Sequence, residues 1–331
     1  MTCSSPRNLA LFAAVCAALA FGSGCGSDNN LTKPGPLPEE VAAAGTVNIA
    51  EFPAANGASI QSIASKIKPG PEYAPASATF TPGQNRVAFG LIDAKLGQAV
   101  YAPTVLYIAS SLSGPALGPF AAPADPMVPQ AAYLSKGAAS DTSDLKAIYE
   151  AEAKIPTAGN WFVLAVSNTP SGLVGATSQI KVVKSTKIPG VGDKAPAITT
   201  PTVGAGADLK SLETRIPPVA SLHQYDFKQV LGKASIALMF STPALCQSRV
   251  CGPVTDLLLQ LQAAYGKKID AIHQEVYLNN KPPNLNPQMT AFGLETEPWF
   301  FTVGKDGLIK ARLEGAFGIN SMNAAIQAAL K

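Results

Sequence analysis

Between residues 84 and 184 the chain alternates short runs of β-branched and aromatic residues with clusters of turn formers. Arg86–Asp93 (RVAFGLID) follows a Pro82-Gly83 turn, and Thr104–Ala109 (TVLYIA) follows Pro103. Leu145–Ala153 leads through Pro156, Gly159 and Asn160 into Trp161–Val166 (WFVLAV), and Gly175–Val183 closes the series. Runs of this length, bounded by Gly, Pro and Asn, read as strands, and no useful stretch of helical period interrupts them. Short strands joined by turns predict an all-β, two-sheet antiparallel sandwich. Gly114–Thr142, rich in Pro and Ala, reads as a surface loop inserted into it.

The pattern changes beyond residue 220. Ser235–Phe240 (SIALMF) is an unbroken apolar run, the size of a parallel strand buried on both faces. After a loop, Val254, Leu257, Leu258 and Leu261 recur at helical spacing, Pro253 suits the first helical position, and Gly266 ends the helix. Ile269–Tyr277 is the next expected strand. Pro298 precedes Trp299–Val303, and Lys305-Asp306-Gly307 turns that strand into Leu308–Leu313 as a hairpin. Asn320 or Ser321 is the expected cap of a last helix with Met322, Ile326 and Leu330 on one face. The order strand, helix, strand, hairpin, helix predicts an α/β domain over 220–331. The sandwich then covers 46–185, and 186–219, with few apolar residues at any regular period, reads as a linker.

At the start of the chain, Arg7 precedes an apolar run from Leu9 to Phe21, too short to span a bilayer and suited to the core of an export signal. Gly22, Ser23 and Gly24 then precede Cys25. This arrangement resembles the lipobox of bacterial lipoproteins, with Gly22 where that family prefers Leu. The resemblance implies a signal peptide over 1–24, lipid on Cys25 and anchoring to the extracytoplasmic side of a cell-envelope membrane. The alternative is an ordinary secretory signal cut nearby. The polar, Pro-rich start of 25–45 reads as a flexible tether. No other apolar run reaches 18 residues, so no transmembrane helix is expected.

Composition supports two folded domains and narrows the chemistry. The 331 residues are 47% hydrophobic and only 14% charged, enough to build sizeable cores. A formal net charge of +3 without a basic block excludes a nucleic-acid footprint. The two histidines, His223 and His273, argue against a His-rich metal site, and neither a metal nor another cofactor is expected. Of five cysteines, Cys3 and Cys16 leave with the signal and Cys25 takes lipid. Cys246 and Cys251 remain, in a compartment that permits disulfides.

Three further resemblances follow from particular residues. The stretch from Tyr149 through Ile155-Pro156, Gly159 and Trp161 to Val166 resembles bacterial Ig-like envelope domains. Val191-Gly192-Asp193-Lys194-Ala195-Pro196 resembles the entry of redoxin and peroxiredoxin-type domains. The segment 220–331 resembles the thioredoxin fold. Cys251-Gly252-Pro253 matches the first three residues of the family's C-G-P-C motif, and Thr296-Glu297-Pro298 falls where the family has its cis-proline. Gly304–Gly307 matches the hairpin turn, and Gly315 matches the glycine before the last helix. The chain departs from the family in having Val254 at the second motif cysteine and Met239 at a buried Asp. It also lacks the motif Trp, and its second cysteine lies upstream, as Cys246-x4-Cys251.

The resemblance implies catalytic roles for Cys246, Cys251, Pro298 and Glu297. A thiolate is the reactive form of cysteine, and a helix N-terminus favours it. Whether Cys246 or Cys251 is the nucleophile stays open. Glu297 would act as a proton shuttle or raise the thiol pKa by repulsion, with Arg249 opposing it. One reading is an envelope thiol–disulfide oxidoreductase acting on exported protein thiols and disulfides. A second is a non-enzymatic interaction lipoprotein whose Cys246–Cys251 disulfide is structural and whose partner is an envelope protein. A third is a Sco-type copper chaperone, with His273 joining the cysteines. A peroxiredoxin fits poorly, since Met239 and Pro243 occupy its motif positions. Trp161, Trp299 and Phe300 read as core, His223 as surface, Glu275 as an exposed strand position, and 279–288 as a polar loop.

Overall fold

A computed structural model describes residues 1–2, 30–137, 145–246 and 248–331. Cys25 and all but the first two residues of the expected signal lie outside the described residues. None of the described helices is long and apolar enough to cross a membrane.

The first half forms two facing sheets. One has the order β1-β9-β8-β4-β5, from Lys68–Pro69 (β1), Gly172–Val182 (β9), Gly159–Thr169 (β8), Thr104–Ala109 (β4) and Leu117–Ala121 (β5). The other has the order β2-β3-β7-β6, from Glu72–Pro75 (β2), Gly83–Ile92 (β3), Ala147–Ile155 (β7) and Ala124–Pro126 (β6). All neighbours are antiparallel except β1 and β9. Between the sheets pack Val87, Phe89 and Leu91 of β3, Leu106 and Ile108 of β4, Ala151 and Ile155 of β7, and Trp161 of β8. The Trp161 indole N–H donates to the Thr157 carbonyl at 3.0 Å, so its one polar atom is satisfied in the core.

Departures from strand alternation have identifiable causes. β4 is buried along its whole length because its second face, Val105, Tyr107 and Ala109, is also covered. Two short helices precede it, α1 (Glu39–Ala44) and α2 (Ile60–Ala64), and Phe52, Ile60 and Ile63 supply that cover. β7 alternates at its C-terminal end, where Glu152 and Lys154 face water, but is buried on both faces from Ala147 to Tyr149. There Ile148, with Ala88 of β3 and Met127, packs into the core of the second half of the chain.

That second half is a four-stranded sheet of order β11-β10-β12-β13: Ile236–Ser241 (β10), Asp270–Glu275 (β11), Trp299–Val303 (β12) and Ile309–Glu314 (β13). β10 runs parallel to β11 and antiparallel to β12, which pairs antiparallel with β13. Later α-helices among the described residues are α3 (Leu209–Leu212), α4 (Phe227–Val230), α5 (Cys251–Tyr265), α6 (Pro287–Ala291) and α7 (Ile319–Leu330). One sheet face, through Ala237, Met239, Ala271 and Phe300, packs on Leu257 and Leu261 of α5 and Met322 and Ile326 of α7. The other, through Leu238, Phe240, Ile272 and Phe301, packs on Phe227 of α4 and Met289 of α6. Each such large apolar side chain, fully buried, contributes roughly 1.5–3 kcal/mol before entropy is counted.

Four expectations need correction. The loop Gly114–Thr142 contributes strands β5 and β6 and the buried residues Ala122, Ala124 and Met127. The stretch 186–219 is packed rather than slack. Gly192 N–H donates to Ile309 O, Ile309 N–H to Asp193 O, and Ala195 N–H to Gly307 O, while Ala195 and Ile198 enter the core. The described part of the 25–45 stretch is also docked: Val41 and Ala44 lie in the sandwich core, and the Gln260 amide donates to the carbonyls of Leu31 and Lys33. Finally, α7 begins at Ile319 without a side-chain cap of its own. The Asp125 carboxylate, from β6 of the sandwich, accepts from the N–H groups of Asn320 (2.9 Å) and Ser321 (2.8 Å) instead.

Candidate active site

The two cysteines flank the N-terminus of α5, at the C-terminal end of β10. Thr242 follows that strand, and its carbonyl accepts from the N–H groups of Leu245 and Cys246, both at 3.1 Å, which curls the chain into a tight turn. The Arg249 N–H returns to the Cys246 carbonyl at 3.3 Å, with Arg249 in the left-handed region at φ 60°. The helix then opens at Cys251, so Pro253 is its third residue and not its first. Proline costs no hydrogen bond there, because the first-turn N–H groups have no intrahelical acceptor.

Those free N–H groups meet a sulfur atom. Cys246 is half-buried and Cys251 is fully buried, both with free thiols. The Cys251 thiol donates a hydrogen bond to the Cys246 sulfur, and this is the largest influence on Cys246. Burial opposes it, but the Ser248 hydroxyl at 3.2 Å and the backbone N–H groups of Cys251 and Val250 add to it. Together they bring the Cys246 thiol down to about 6. Cys251 moves the other way: burial, its donated hydrogen bond and the negative charge of Cys246 all hold it protonated. These influences favour ionisation of Cys246 over Cys251, with Cys251 as the hydrogen-bond donor.

The peptide bond between Glu297 and Pro298 is cis, and Glu297 lies within electrostatic reach of both cysteines. Burial and then the charge on Cys246 push the Glu297 carboxyl up. The Pro298 carbonyl accepts from Gly315 N–H at 2.8 Å, which fixes this loop against the end of β13. Val254, at the position of the second motif cysteine, is fully buried.

Beside Cys246 lies a cleft of about 660 Å³ between the two halves of the chain. Met127 and Pro129 line it from one side, Ile216, Pro243, Arg249 and Cys246 from the other. A smaller cavity of about 390 Å³ lies by Glu297, with Ala76 and Ile148 opposite Val250 and Gly315. The turn that carries Cys246 is also held from the 186–219 stretch. Ala244 N–H donates to the Thr214 hydroxyl at 3.1 Å, and that hydroxyl donates to Glu275 at 2.6 Å. Nothing in the local pattern around Thr214 signals this support.

The outlying residues fall elsewhere. Glu275 is buried, not exposed, and His223 is buried, not on the surface. His273 lies against Glu213 and His223 rather than completing a ligand set with the cysteines, so the geometry needed for the copper-chaperone reading is missing among the described residues.

No family model matches the chain, and no curated protein matches it in sequence. Among solved structures, a thiol:disulfide interchange protein, a thioredoxin family protein from Chlorobium tepidum TLS, aligns with 42% of this chain and 97% of its own length. The identity is 14% and the TM-score 0.26.

Proposed function

We propose that this chain is a thiol–disulfide exchange protein of the cell envelope, anchored through lipid on Cys25, with an Ig-like sandwich supporting a thioredoxin-like domain. The observation that carries the proposal is the placement of half-buried Cys246 beside fully buried Cys251 at the start of α5, which favours ionisation of the first and holds the second protonated. A half-buried thiolate beside a buried thiol is the arrangement that two-step disulfide exchange requires. The Cys246 thiolate attacks one sulfur of a substrate disulfide, forms a mixed disulfide and releases the other sulfur as a thiolate. Cys251 then loses its proton, for which Glu297 is the neighbouring acceptor, and attacks the Cys246 sulfur. The internal disulfide closes, and the second substrate thiolate departs. The substrate gains two electrons and the chain loses them; the reverse sequence oxidises a dithiol.

The decisive experiment is the reduction potential of the Cys246/Cys251 pair, by maleimide trapping across dithiothreitol ratios. Between about −120 and −270 mV, the range of working exchange proteins, the proposal stands. Below about −300 mV the pair is a structural disulfide, and exchange is not its function. Cys251→Ser is expected to accumulate a mixed disulfide on Cys246, whereas Cys246→Ser forms none and loses insulin-reductase activity.

A further inference from the structure

We infer that Glu213, His223 and His273 bind one divalent transition-metal ion of the zinc class, at a site separate from the thiol pair. Both histidines of the chain converge on one carboxylate. Glu213 Oε2 lies 3.5 Å from His223 Nε2 and 3.3 Å from His273 Nδ1. All three residues are buried, and none of these three atoms has a hydrogen-bond partner. The candidate ligand atoms lie within 4.8 Å of one another.

The tautomer of His273 is the critical point. Its Nε2 lies 3.0 Å from the Ser241 carbonyl oxygen, which can only accept, so Nε2 carries the proton. In neutral imidazole Nδ1 is then a bare lone pair, and it faces a carboxylate oxygen that also only accepts. Two acceptors at that separation in a buried site repel unless a cation lies between them. The other carboxylate oxygen of Glu213 accepts from the Val219 N–H, leaving Oε2 directed at the imidazoles.

The spacings from Glu213 Oε2 to the two histidines fit a metal ion. Zinc bonds to N and O at about 2.0–2.1 Å, which in tetrahedral geometry puts neighbouring ligand atoms about 3.3–3.4 Å apart. A ring nitrogen that donates to a backbone carbonyl while its partner nitrogen points into the site is the usual outer support of a metal-bound histidine. Two borderline imidazoles and one carboxylate form a ligand set suited to Zn²⁺, and they leave a fourth position for water. Glu275 lies close enough to act on both histidines, so one dication balances two carboxylates. The site joins the 186–223 stretch to β11. Because its ligands are buried, the ion is expected to enter during folding.

The alternative to a metal is a proton, with His273 as an imidazolium, and the test separates the two. The full chain is refolded from guanidinium in detergent with excess Zn²⁺, freed of loose ions by desalting, and analysed for bound metal. About one ion per chain is expected for the unmodified protein and for Cys246→Ser/Cys251→Ser, and less than a tenth of that for His223→Gln and His273→Gln. No retained ion in the unmodified chain overturns the proposal, as does zinc that disappears with the cysteines but survives in the histidine variants. Refolding the unmodified chain with Co²⁺ covers the case in which those variants do not fold. The visible absorption of a four-coordinate ion without a sulfur-to-cobalt band is expected; a colourless protein, or one with the sulfur band, overturns the assignment.

Discussion

In the unfolded chain Cys246 and Cys251 are equivalent thiols, and only their positions in the fold make them unlike. The Cys251 thiol and the open N–H groups at the start of α5 all point at Cys246, while burial isolates Cys251. Alkylation of reduced protein by iodoacetamide is therefore expected to titrate with a midpoint near 6 for Cys246. Cys251→Ala, which deletes the strongest donor, raises that midpoint towards an ordinary thiol; an unchanged midpoint would show that the helix N-terminus alone does the work. Stability follows by linkage. Cys246 has a folded pKa below its unfolded value of 9.0, so between about pH 6 and pH 9 the unfolded chain holds a proton the folded chain has released. The stability of reduced protein rises across that window and is lost as pH falls through 6. Urea titrations of the parent and Cys246→Ser at several pH values give this contribution by difference. The C-G-P motif is visible in the sequence, but the direction of the hydrogen bond between the sulfurs is not.

Elements differ in how well local pattern places them. Thr104–Ala109 and Trp299–Val303 are strands over the residues their composition marks, because an unbroken apolar run between turn formers has few other ways to be buried. Helix ends are less legible, since a cap can come from any part of the chain. α7 has Asn320 and Ser321 at its start, yet the carboxylate that caps it is Asp125, 195 residues upstream. Asp125→Ala is expected to cost about 1 kcal/mol in denaturant unfolding, the usual loss for a helix cap. Gly315 links β13 to α7 and shows a harder constraint. It has φ 70°, and a Cβ there would stand 1.7 Å from the Ala76 carbonyl oxygen across the junction. Gly315→Ala is therefore expected to lose roughly 3 kcal/mol or more, at the severe end for a single methyl group.

The two halves do not behave as beads on a string. Ala88, Met127 and Ile148 of the sandwich share a core with α5 and α7. Arg86, paired with Glu150 within the sandwich, donates across the same junction to the Glu314 carbonyl at 2.9 Å. The buried Arg215–Asp256 pair, at 2.7 Å, ties the 186–219 stretch to α5, and Asp256 also accepts from Ser135 N–H. Removing one partner of such a pair leaves the other charged and buried, so Asp256→Ala is expected to cost about 3–5 kcal/mol. The shared core also predicts one unfolding transition. Trp161 reports the sandwich and Trp299 the second sheet. Trp161→Phe and Trp299→Phe variants, each leaving one fluorophore, should melt at coincident midpoints once their separate stabilities are allowed for. Two well-resolved transitions in the unmodified protein would show that the halves fold independently.

Periodicity and turn chemistry carry the strand-rich first half and the strand–helix–strand–hairpin–helix order of the second. These features rest on interactions between residues near in sequence and on the need to bury an apolar face, both of which leave a repeating local trace. The docking of 30–45 and 186–219, the cap of α7 by Asp125, the support of the Cys246 turn by Thr214 and the meeting of Glu213 with His223 and His273 leave no such trace. Each depends on polar groups brought together by the packing of apolar faces far apart in the chain. Two isolated histidines, one on an expected strand and one just beyond an apparent linker, give no sign of meeting until the sheet, its helices and the packed linker close around them.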